Sequence, residues 1–253
     1  MSTREYPKVW SHFERVVEDG RMLRFEIEDI PESMWSTAVE FMLGNYIRED
    51  DWWKTAGTAQ DIEAVQEYRV LLTSIIRQKM SVACFLAEGD GSGRTLVAVN
   101  MCLPQEKGRF VEHTSILFLS PLRPIPRPVP IYFPKSKAGL LSLRMFYEAM
   151  KVTAIYDKYS VKAYLMGAGL SVTPEYRGLG IAVQLLKARI NLSKSLSFRA
   201  TGGIFTSARA QRVAEKAGME CLHHISYKKF GKQCSVTFCT DTEALKIYGI
   251  RTE

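Results

Sequence analysis

Hydrophobic and polar positions change period several times along the chain, and each change marks a predicted element. Residues 21–29 predict a first β-strand. Residues 31–46 predict an amphipathic helix, because their apolar residues recur at i, i+1, i+4, i+5, i+8, i+9 and i+12. The residues on that face are Met34, Trp35, Ala38, Val39, Met42, Leu43 and Tyr46.

A second helix is predicted to begin with Thr58 as N-cap and Asp61 near a capping-box position. Its apolar face carries Ile62, Val65, Leu72, Ile75 and Ile76. Two strands are expected next, at 81–87 and 95–103. The glycine-rich segment 88–94 between them is typical of a hairpin loop.

The rest of the chain continues to alternate between helix and strand patterns. The predicted elements are a helix at 138–159, a strand at 163–173, a helix at 178–197, a strand at 200–206, a helix at 208–217 and closing strands at 220–229 and 233–240. This order predicts an α/β fold with a mixed sheet of about seven strands and helices on both faces. We expect one domain over residues 1–253.

A proline-rich loop interrupts this pattern at residues 104–137. Prolines at 121, 124, 126, 128, 130 and 134 impose extended, polyproline-like backbone. The loop is either a stiff connector or a lid over a binding site. In the second case His113, Tyr132 and Phe133 would line it.

Composition excludes several classes of protein. No run approaches the length of a membrane span, and the N-terminus has no apolar signal core, so we expect a cytoplasmic protein that does not enter the membrane. The 5 cysteines are scattered without Cys-x-x-Cys spacing, and there are 4 histidines. Reduced thiols and no metal site are therefore expected.

The segment from Leu170 to Ala182 carries the most informative chemistry. An apolar strand leads into a turn, and Gly178 and Gly180 are expected at the first positions of the following helix. The N–H groups of residues 178–182 have no intrahelical acceptor, and the helix dipole adds positive charge there. With Arg177 at the rim, the segment predicts a pyrophosphate site. It matches neither the nucleoside-triphosphate P-loop nor the three-glycine dinucleotide pattern.

The sequence Arg177-Gly-Leu-Gly-Ile-Ala182 resembles motif A of the GNAT superfamily of acetyl-CoA-dependent N-acetyltransferases. The following helix, from Gln211 to Lys216, closes with Ala217-Gly-Met219, similar to the family's Glu-Lys-x-Gly-Phe signature. The resemblance covers residues 163–228 and is greatest to the insect arylalkylamine N-acetyltransferase-like branch.

The resemblance implies a GNAT-type twisted sheet, acetyl-CoA as acetyl donor, and direct attack of an amine in a ternary complex. The cofactor would lie in a splay beside strand 163–173, its pantetheine arm paired with backbone near Leu170 and Val172. The implied cofactor-binding residues are Leu170, Ser171, Val172, Arg177, Gly178, Leu179, Gly180, Ile181, Ala182 and Lys216.

The formal charge of +7 also fits a phosphate-rich cofactor. Basic residues cluster after the phosphate turn, at Lys187, Arg189, Lys194 and Arg199. No aromatic–basic interleaving or nucleic-acid module accompanies them, so no nucleic-acid partner is expected. A solvated basic face accounts for the rest of the excess charge.

Acetyl transfer requires a neutral nitrogen, and an amine of pKa near 10.4 is only about 0.04% neutral at pH 7. In the insect enzymes a glutamate of an Asp-Glu-Pro-Leu segment is taken as catalytic. Asp50 falls at that position, preceded by Glu49 and followed by Asp51. Because aspartate is one methylene shorter, a water relay is favoured. The alternative is that these acids form a solvated turn.

Two further features that the resemblance implies are altered: one belongs to that branch, and the other, a helix tyrosine acting as general acid, to many members of the superfamily. The branch's two proposed catalytic serines correspond to Thr206 and Ala210, and Ser207 is predicted to cap the next helix. Segment 208–217 contains no tyrosine to protonate the departing thiolate. Trp52 and Trp53 could stack on the amine or belong to the core.

The candidate catalytic residues are therefore Asp50, Glu49 and Thr206. The expected activity is acetyl transfer to a small primary amine, an arylalkylamine or a related compound. Two alternatives stay open: a non-catalytic CoA-binding module of the same fold, and a protein or peptide N-acetyltransferase. The pattern leaves the oligomeric state open.

Overall fold

A computed structural model describes residues 4–87, 93–107 and 134–253. Eight strands form one sheet in the order β1-β2-β3-β4-β5-β6-β8-β7, with only β5 and β6 parallel among the paired neighbours. The strands are β1 (Val9–Val16), β2 (Met22–Asp29), β3 (Val82–Ala87), β4 (Arg94–Glu106), β5 (Ala163–Val172), β6 (Ala200–Phe205), β7 (Glu220–Ser226) and β8 (Ala244–Arg251).

Helices cover both faces of this sheet. They are α1 (Trp35–Phe41), α2 (Ile47–Glu49), α3 (Asp51–Ala56), α4 (Ile62–Ile76), α5 (Lys137–Lys151), α6 (Ile155–Tyr159), α7 (Ile181–Ser195), α8 (Ala208–Lys216) and α9 (Tyr227–Cys234). A π-helical turn, Met42–Tyr46, joins α1 to α2. The predicted mixed α/β class is confirmed, with eight strands rather than about seven.

The two faces of the sheet have separate cores. On one face, Leu185 and Leu192 of α7 pack with Phe25 and Leu165 of the sheet. On the other face, the helices between β2 and β3 pack with α5, α9 and sheet residues such as Phe85 and Met101. Because strand residues alternate between faces, both cores draw on the same strands.

The edge strand β1 is absent from the prediction, which placed the first strand at 21–29. It pairs antiparallel with β2, and Phe13 stacks on Phe25 at 5.1 Å between ring centroids. Most of its residues are partly or fully exposed. Its stability comes from this pairing rather than from a strongly apolar sequence.

The predicted closing strand 233–240 is wrong. Residues 227–234 form α9, and the Ser226 side chain caps it by accepting a hydrogen bond from Lys229 N at 3.3 Å. Tyr227, Phe230 and Cys234 are buried at helical spacing. The closing strand is β8, which pairs between β6 and β7.

Two helix boundaries also differ from the prediction. Asp61, not Thr58, caps α4, accepting a hydrogen bond from Ala64 N at 3.0 Å, while Thr58 begins a short 3-10 turn. The predicted helix 138–159 consists of α5 and α6, separated by residues 152–154.

A fork opens between β5 and β6. Their described pairing consists of Leu165 with Thr201 and Met166 with Gly202, although both strands continue beyond these residues. Next to the fork, two residues of β5 stand opposite one of β4, so the strand bulges. Gly169 in this bulge has φ +130°, and its carbonyl accepts from Asn100 Nδ2 at 2.9 Å.

The central part of the proline-rich loop lies outside the described residues, as do 88–92 of the hairpin loop. The lid and connector alternatives, and the roles of His113, Tyr132 and Phe133, therefore stay predictions. Strand β4 extends to Glu106, so it includes the first residues assigned to the loop. Within the described ranges, no helix has the length and apolar character required to cross a membrane.

Candidate active site

The phosphate turn follows directly from β5. A 3-10 turn, Pro174–Tyr176, leads to Gly178 at φ +85° and Gly180 at φ +80°, and α7 starts at Ile181. The glycines therefore precede the helix, with Gly180 as N-cap, instead of occupying its first positions as predicted. Both have left-handed backbone, which glycine adopts without the strain of a side chain.

The amide groups of this turn are free to bind an anion. Among the described residues, no carbonyl or side chain accepts a hydrogen bond from the N–H of Gly178, Leu179, Gly180, Ile181 or Ala182. These five donors lie at and just before the start of a 15-residue helix, where the helix dipole favours negative charge.

Arg177 is used differently from the prediction. Its Nε donates to the Val172 carbonyl at 2.9 Å, and its Nη2 forms an ion pair with Glu49. The side chain therefore ties the phosphate turn to α2 instead of projecting as a free charge at the rim. Glu49, predicted as a catalytic candidate, is exposed and engaged in this ion pair.

Arg15 of β1 supplies a cation that sequence analysis missed. Its Nε donates to the Leu179 carbonyl at 2.9 Å, and its guanidinium carbon lies 5.1 Å from the centroid of the Phe13 ring. A Cβ placed on Gly180 would lie 3.5 Å from its Nη2. No local signal connects residue 15 with this turn, because only the sheet brings them together.

Residues 170–172, predicted to hold the pantetheine arm, follow the bulge on β5. One edge pairs with β4: Leu170 with Asn100, Ser171 with Val99 and Val172 with Ala98. The other edge lies beyond the last described pair with β6. The backbone that the prediction assigned to the cofactor is therefore at the open fork.

Asp50 and Thr206 are brought together across the fold, although 156 residues separate them. Asp50 is the N-cap of α3, and its Oδ1 accepts from Trp52 N at 3.0 Å. Thr206 directly follows β6 and donates its hydroxyl to Asp50 Oδ2 at 2.5 Å. Both residues were catalytic candidates.

Burial raises the pKa of Asp50 from an ordinary 3.8 to about 6. The hydrogen bonds from Thr206 and Trp52 N act in the opposite direction, and the neighbouring charge of Asp51 adds to the increase. The carboxylate is therefore ionised at neutral pH and binds a proton more readily than an exposed aspartate does.

Asp51 and the two tryptophans beside it have structural contacts. Asp51 accepts a hydrogen bond from the Thr240 hydroxyl at 2.5 Å. Trp52 packs against Phe230 at 5.8 Å, and Trp53 packs edge-on against a tyrosine ring at 4.2 Å. Both tryptophans are buried, which supports the core alternative.

Tyr46, Tyr68 and Tyr227 lie close enough to Asp50 for its charge to act on their hydroxyls. Burial raises the pKa of all three hydroxyls, with a contribution from the charge on Asp50. Tyr227 donates its hydroxyl to the Thr206 carbonyl at 2.5 Å. A Cβ on Gly169 would lie 2.8 Å from Tyr46 Cε1, so Tyr46 also contacts the bulge beside the fork.

The two ends of α8 carry two residues to which the sequence analysis gave roles, Ser207 and Lys216. Ser207 caps its start, accepting from Ala210 N at 3.2 Å, which confirms that prediction. Lys216 is the last residue of this nine-residue helix, about 13 Å along its axis from the cap, and its side chain is exposed. The cofactor-binding role assigned to Lys216 stays a prediction. The described residues contain no cluster arranged to hold a metal ion.

No protein-family model matches the chain, and no curated protein matches its sequence. Solved structures do match its fold. A yellow fever mosquito (Aedes aegypti) protein named as arylalkylamine N-acetyltransferase 7 has 21% identity and a TM-score of 0.78, over 100% of this chain and 98% of its own. A mosquito arylalkylamine N-acetyltransferase like 5b has 19% identity and a TM-score of 0.68, over 90% and 99%.

A Drosophila melanogaster polyamine N-acetyltransferase that forms N-acetylagmatine has 17% identity and a TM-score of 0.68, over 90% of this chain and 99% of its own. The chain therefore has the GNAT acetyltransferase fold, as the phosphate-turn motif predicted. Its structural neighbours include insect arylalkylamine N-acetyltransferases, the branch whose sequence motifs this chain resembles.

Proposed function

We propose that the chain is an acetyl-CoA-dependent N-acetyltransferase that acetylates a small primary amine directly in a ternary complex. The observation that carries this proposal is the open β5–β6 fork. The unpaired amides of residues 178–182 lie at one side of it, and the Asp50–Thr206 pair lies at the end of β6. Donor and acceptor sites of an acyl transfer would therefore meet in the fork.

The residues present fit coenzyme A. Its pyrophosphate suits the five unpaired amides and the nearby Arg15 guanidinium, since both favour phosphate oxygens. Its pantetheine amides suit the free edge of β5 at Leu170 and Val172. When bound, acetyl-CoA supplies an activated acetyl group on a thiol leaving group.

Asp50 is the proposed general base. Its raised pKa of about 6 keeps it ionised at neutral pH, yet makes it a stronger proton acceptor than an ordinary aspartate. The hydrogen bonds from Trp52 N and Thr206 fix the orientation of both oxygens, and each oxygen retains a further lone pair. A proton would leave the ammonium for Asp50 directly or through one water.

The acceptor side favours a monoamine with an aromatic group. Three tyrosines lie close enough to Asp50 for its charge to act on their hydroxyls. Of the two acids beside Asp50, Glu49 forms an ion pair with Arg177 and Asp51 accepts a hydrogen bond from Thr240, so neither is free to bind the second cation of a polyamine. We therefore propose an arylalkylamine, with agmatine and polyamines as the comparison class.

The test is thiol release from acetyl-CoA with tryptamine, tyramine, dopamine, histamine, agmatine, spermidine and a basic peptide as acceptors. Turnover with the arylalkylamines, reduced in Asp50→Asn at neutral pH, is the expected result. Preference for agmatine or the peptide would overturn the acceptor assignment. Tight acetyl-CoA binding without turnover on any acceptor would support the non-catalytic module instead.

A further inference from the structure

Arg189 is a buried cation without a carboxylate partner. It lies in the middle of α7, is 2% exposed, and forms no ion pair within the described ranges of the chain. Its Nη2 contacts Met219 Sδ at 3.7 Å, and its Nε has no hydrogen-bond partner. Sequence analysis placed it on a basic surface, and its burial corrects that assignment.

Its neighbours do not neutralise it. Cys102 forms a side-chain hydrogen bond with the guanidinium, and Cys102 and Tyr164 are the groups whose charges would interact with it. Burial raises the pKa of Cys102 to about 12 and raises that of Tyr164 as well, so both are uncharged at neutral pH. Because burying an unpaired charge is costly, this arginine is the type of residue that a function must maintain.

The guanidinium lies against the base of the fork. A Cβ placed on Gly167 would overlap Arg189 Nη1, so glycine at this position lets the guanidinium lie against the backbone. Gly167 follows the last described β5–β6 pair, and a Cβ on Gly203 would be 3.4 Å from its carbonyl oxygen. The charge therefore sits beneath the point where the strands separate, on the α7 face.

We propose that Arg189 stabilises the negative charge that develops on the sulfur of coenzyme A during acetyl transfer, acting from beneath the fork. The proposal rests on the proposed function. Asp50 first passes the ammonium proton to solvent. The neutral amine nitrogen then attacks the acetyl carbon, the carbon–sulfur bond breaks with its electron pair on sulfur, and the second nitrogen proton passes to Asp50. The thiolate then takes a proton from Asp50 or water.

This role would compensate for the lack of a tyrosine general acid on α8. Helix α8, Ala208–Lys216, contains no tyrosine to protonate the leaving thiolate, and the nearby Tyr227 hydroxyl donates to a backbone carbonyl. A fixed positive charge in a site of low dielectric stabilises a thiolate without donating a proton. Arg189 thus acts on the sulfur through its electric field, across the backbone of Gly167, and does not touch the reacting atoms.

The test measures the thiol pKa of coenzyme A bound to the protein, from the ultraviolet absorbance of the thiolate. In the unmodified protein this pKa should lie below that of free coenzyme A. In Arg189→Met it should rise by about one pH unit, with kcat reduced about tenfold and little change in coenzyme A affinity. Arg189→Lys, which keeps the charge, should retain most of the effect.

Arg212→Met is the control, because Arg212 is an exposed cation on α8. If bound coenzyme A in the unmodified protein has the thiol pKa of the free compound, the proposal is overturned even where Arg189→Met does not fold. Equal thiol pKa values in the unmodified protein and Arg189→Met would also overturn it. Absence of coenzyme A binding to the unmodified protein would instead contradict the proposed function.

Discussion

Asp50→Asn should stabilise the protein at neutral pH while it reduces activity. The folded state raises the pKa of Asp50 from 3.8 to about 6. A raised carboxyl pKa means that the folded chain binds this proton more tightly than the unfolded chain does. The stability from the protonated group is therefore fully present below pH 3.8 and is lost as the pH rises through about 6.

The magnitude follows from the difference between the two pKa values. At about 1.4 kcal/mol per pH unit, the ionised carboxylate costs the folded state about 3 kcal/mol above pH 7. Asparagine keeps the cap on Trp52 N, and the Thr206 hydroxyl can rotate to accept from its amide. We expect a gain of about 2 kcal/mol at pH 8, a rise of about 5 °C in Tm.

Urea unfolding at pH 4, 6 and 8 measures this effect, with kcat recorded at pH 7. The gain should be large at pH 8 and disappear near pH 4. Asp61→Asn is the control, because Asp61 caps α4 through the same type of hydrogen bond. A gain that does not vary with pH, or a loss of stability at pH 8, would refute burial as the cause of the raised pKa.

Three further variants test other parts of the site. Thr206→Val removes the hydrogen bond that lowers the pKa of Asp50, so the acid limb of the plot of kcat/KM against pH should move above pH 6. Thr206→Ser keeps the hydroxyl, so the limb should return to its original position. Gly180→Glu should abolish coenzyme A binding, measured by calorimetry. Gly20→Glu, a control at a similar φ of +81°, should not. Normal affinity in Gly180→Glu would refute the assignment of the turn as a phosphate site. Arg15→Gln should weaken coenzyme A binding about tenfold and reduce the salt dependence of that binding. Arg24→Gln on the adjacent strand is the control and should do neither. Unchanged affinity in Arg15→Gln would exclude Arg15 as a phosphate ligand.

The phosphate turn was predictable because its determinants are contiguous. Strand, glycines and helix start all lie within residues 170–182, so hydrophobic pattern and glycine spacing locate them. The pattern did not show that Gly180 precedes the helix, since that depends on a backbone angle. Nor did it show that Arg177 is paired with Glu49, a contact across 128 residues.

Elements that depend on distant contacts were not predictable. The edge strand β1 is held by its pairing with β2, so Arg15 at the phosphate turn could not be anticipated. The error at residues 233–240 has a local cause. Buried Tyr227, Phe230 and Cys234 have the spacing of a helix, and the β-forming residues that follow it join no strand before β8.

The Asp50–Thr206 pair was reached only through the resemblance, because no local pattern joins a helix cap to the end of a strand. The structure adds a division of roles between adjacent acids. Glu49 binds Arg177 and so connects α2 to the phosphate turn, while Asp50 caps α3 and meets Thr206. Since consecutive residues hold these two contacts, the peptide between Glu49 and Asp50 connects the phosphate turn to the proposed base.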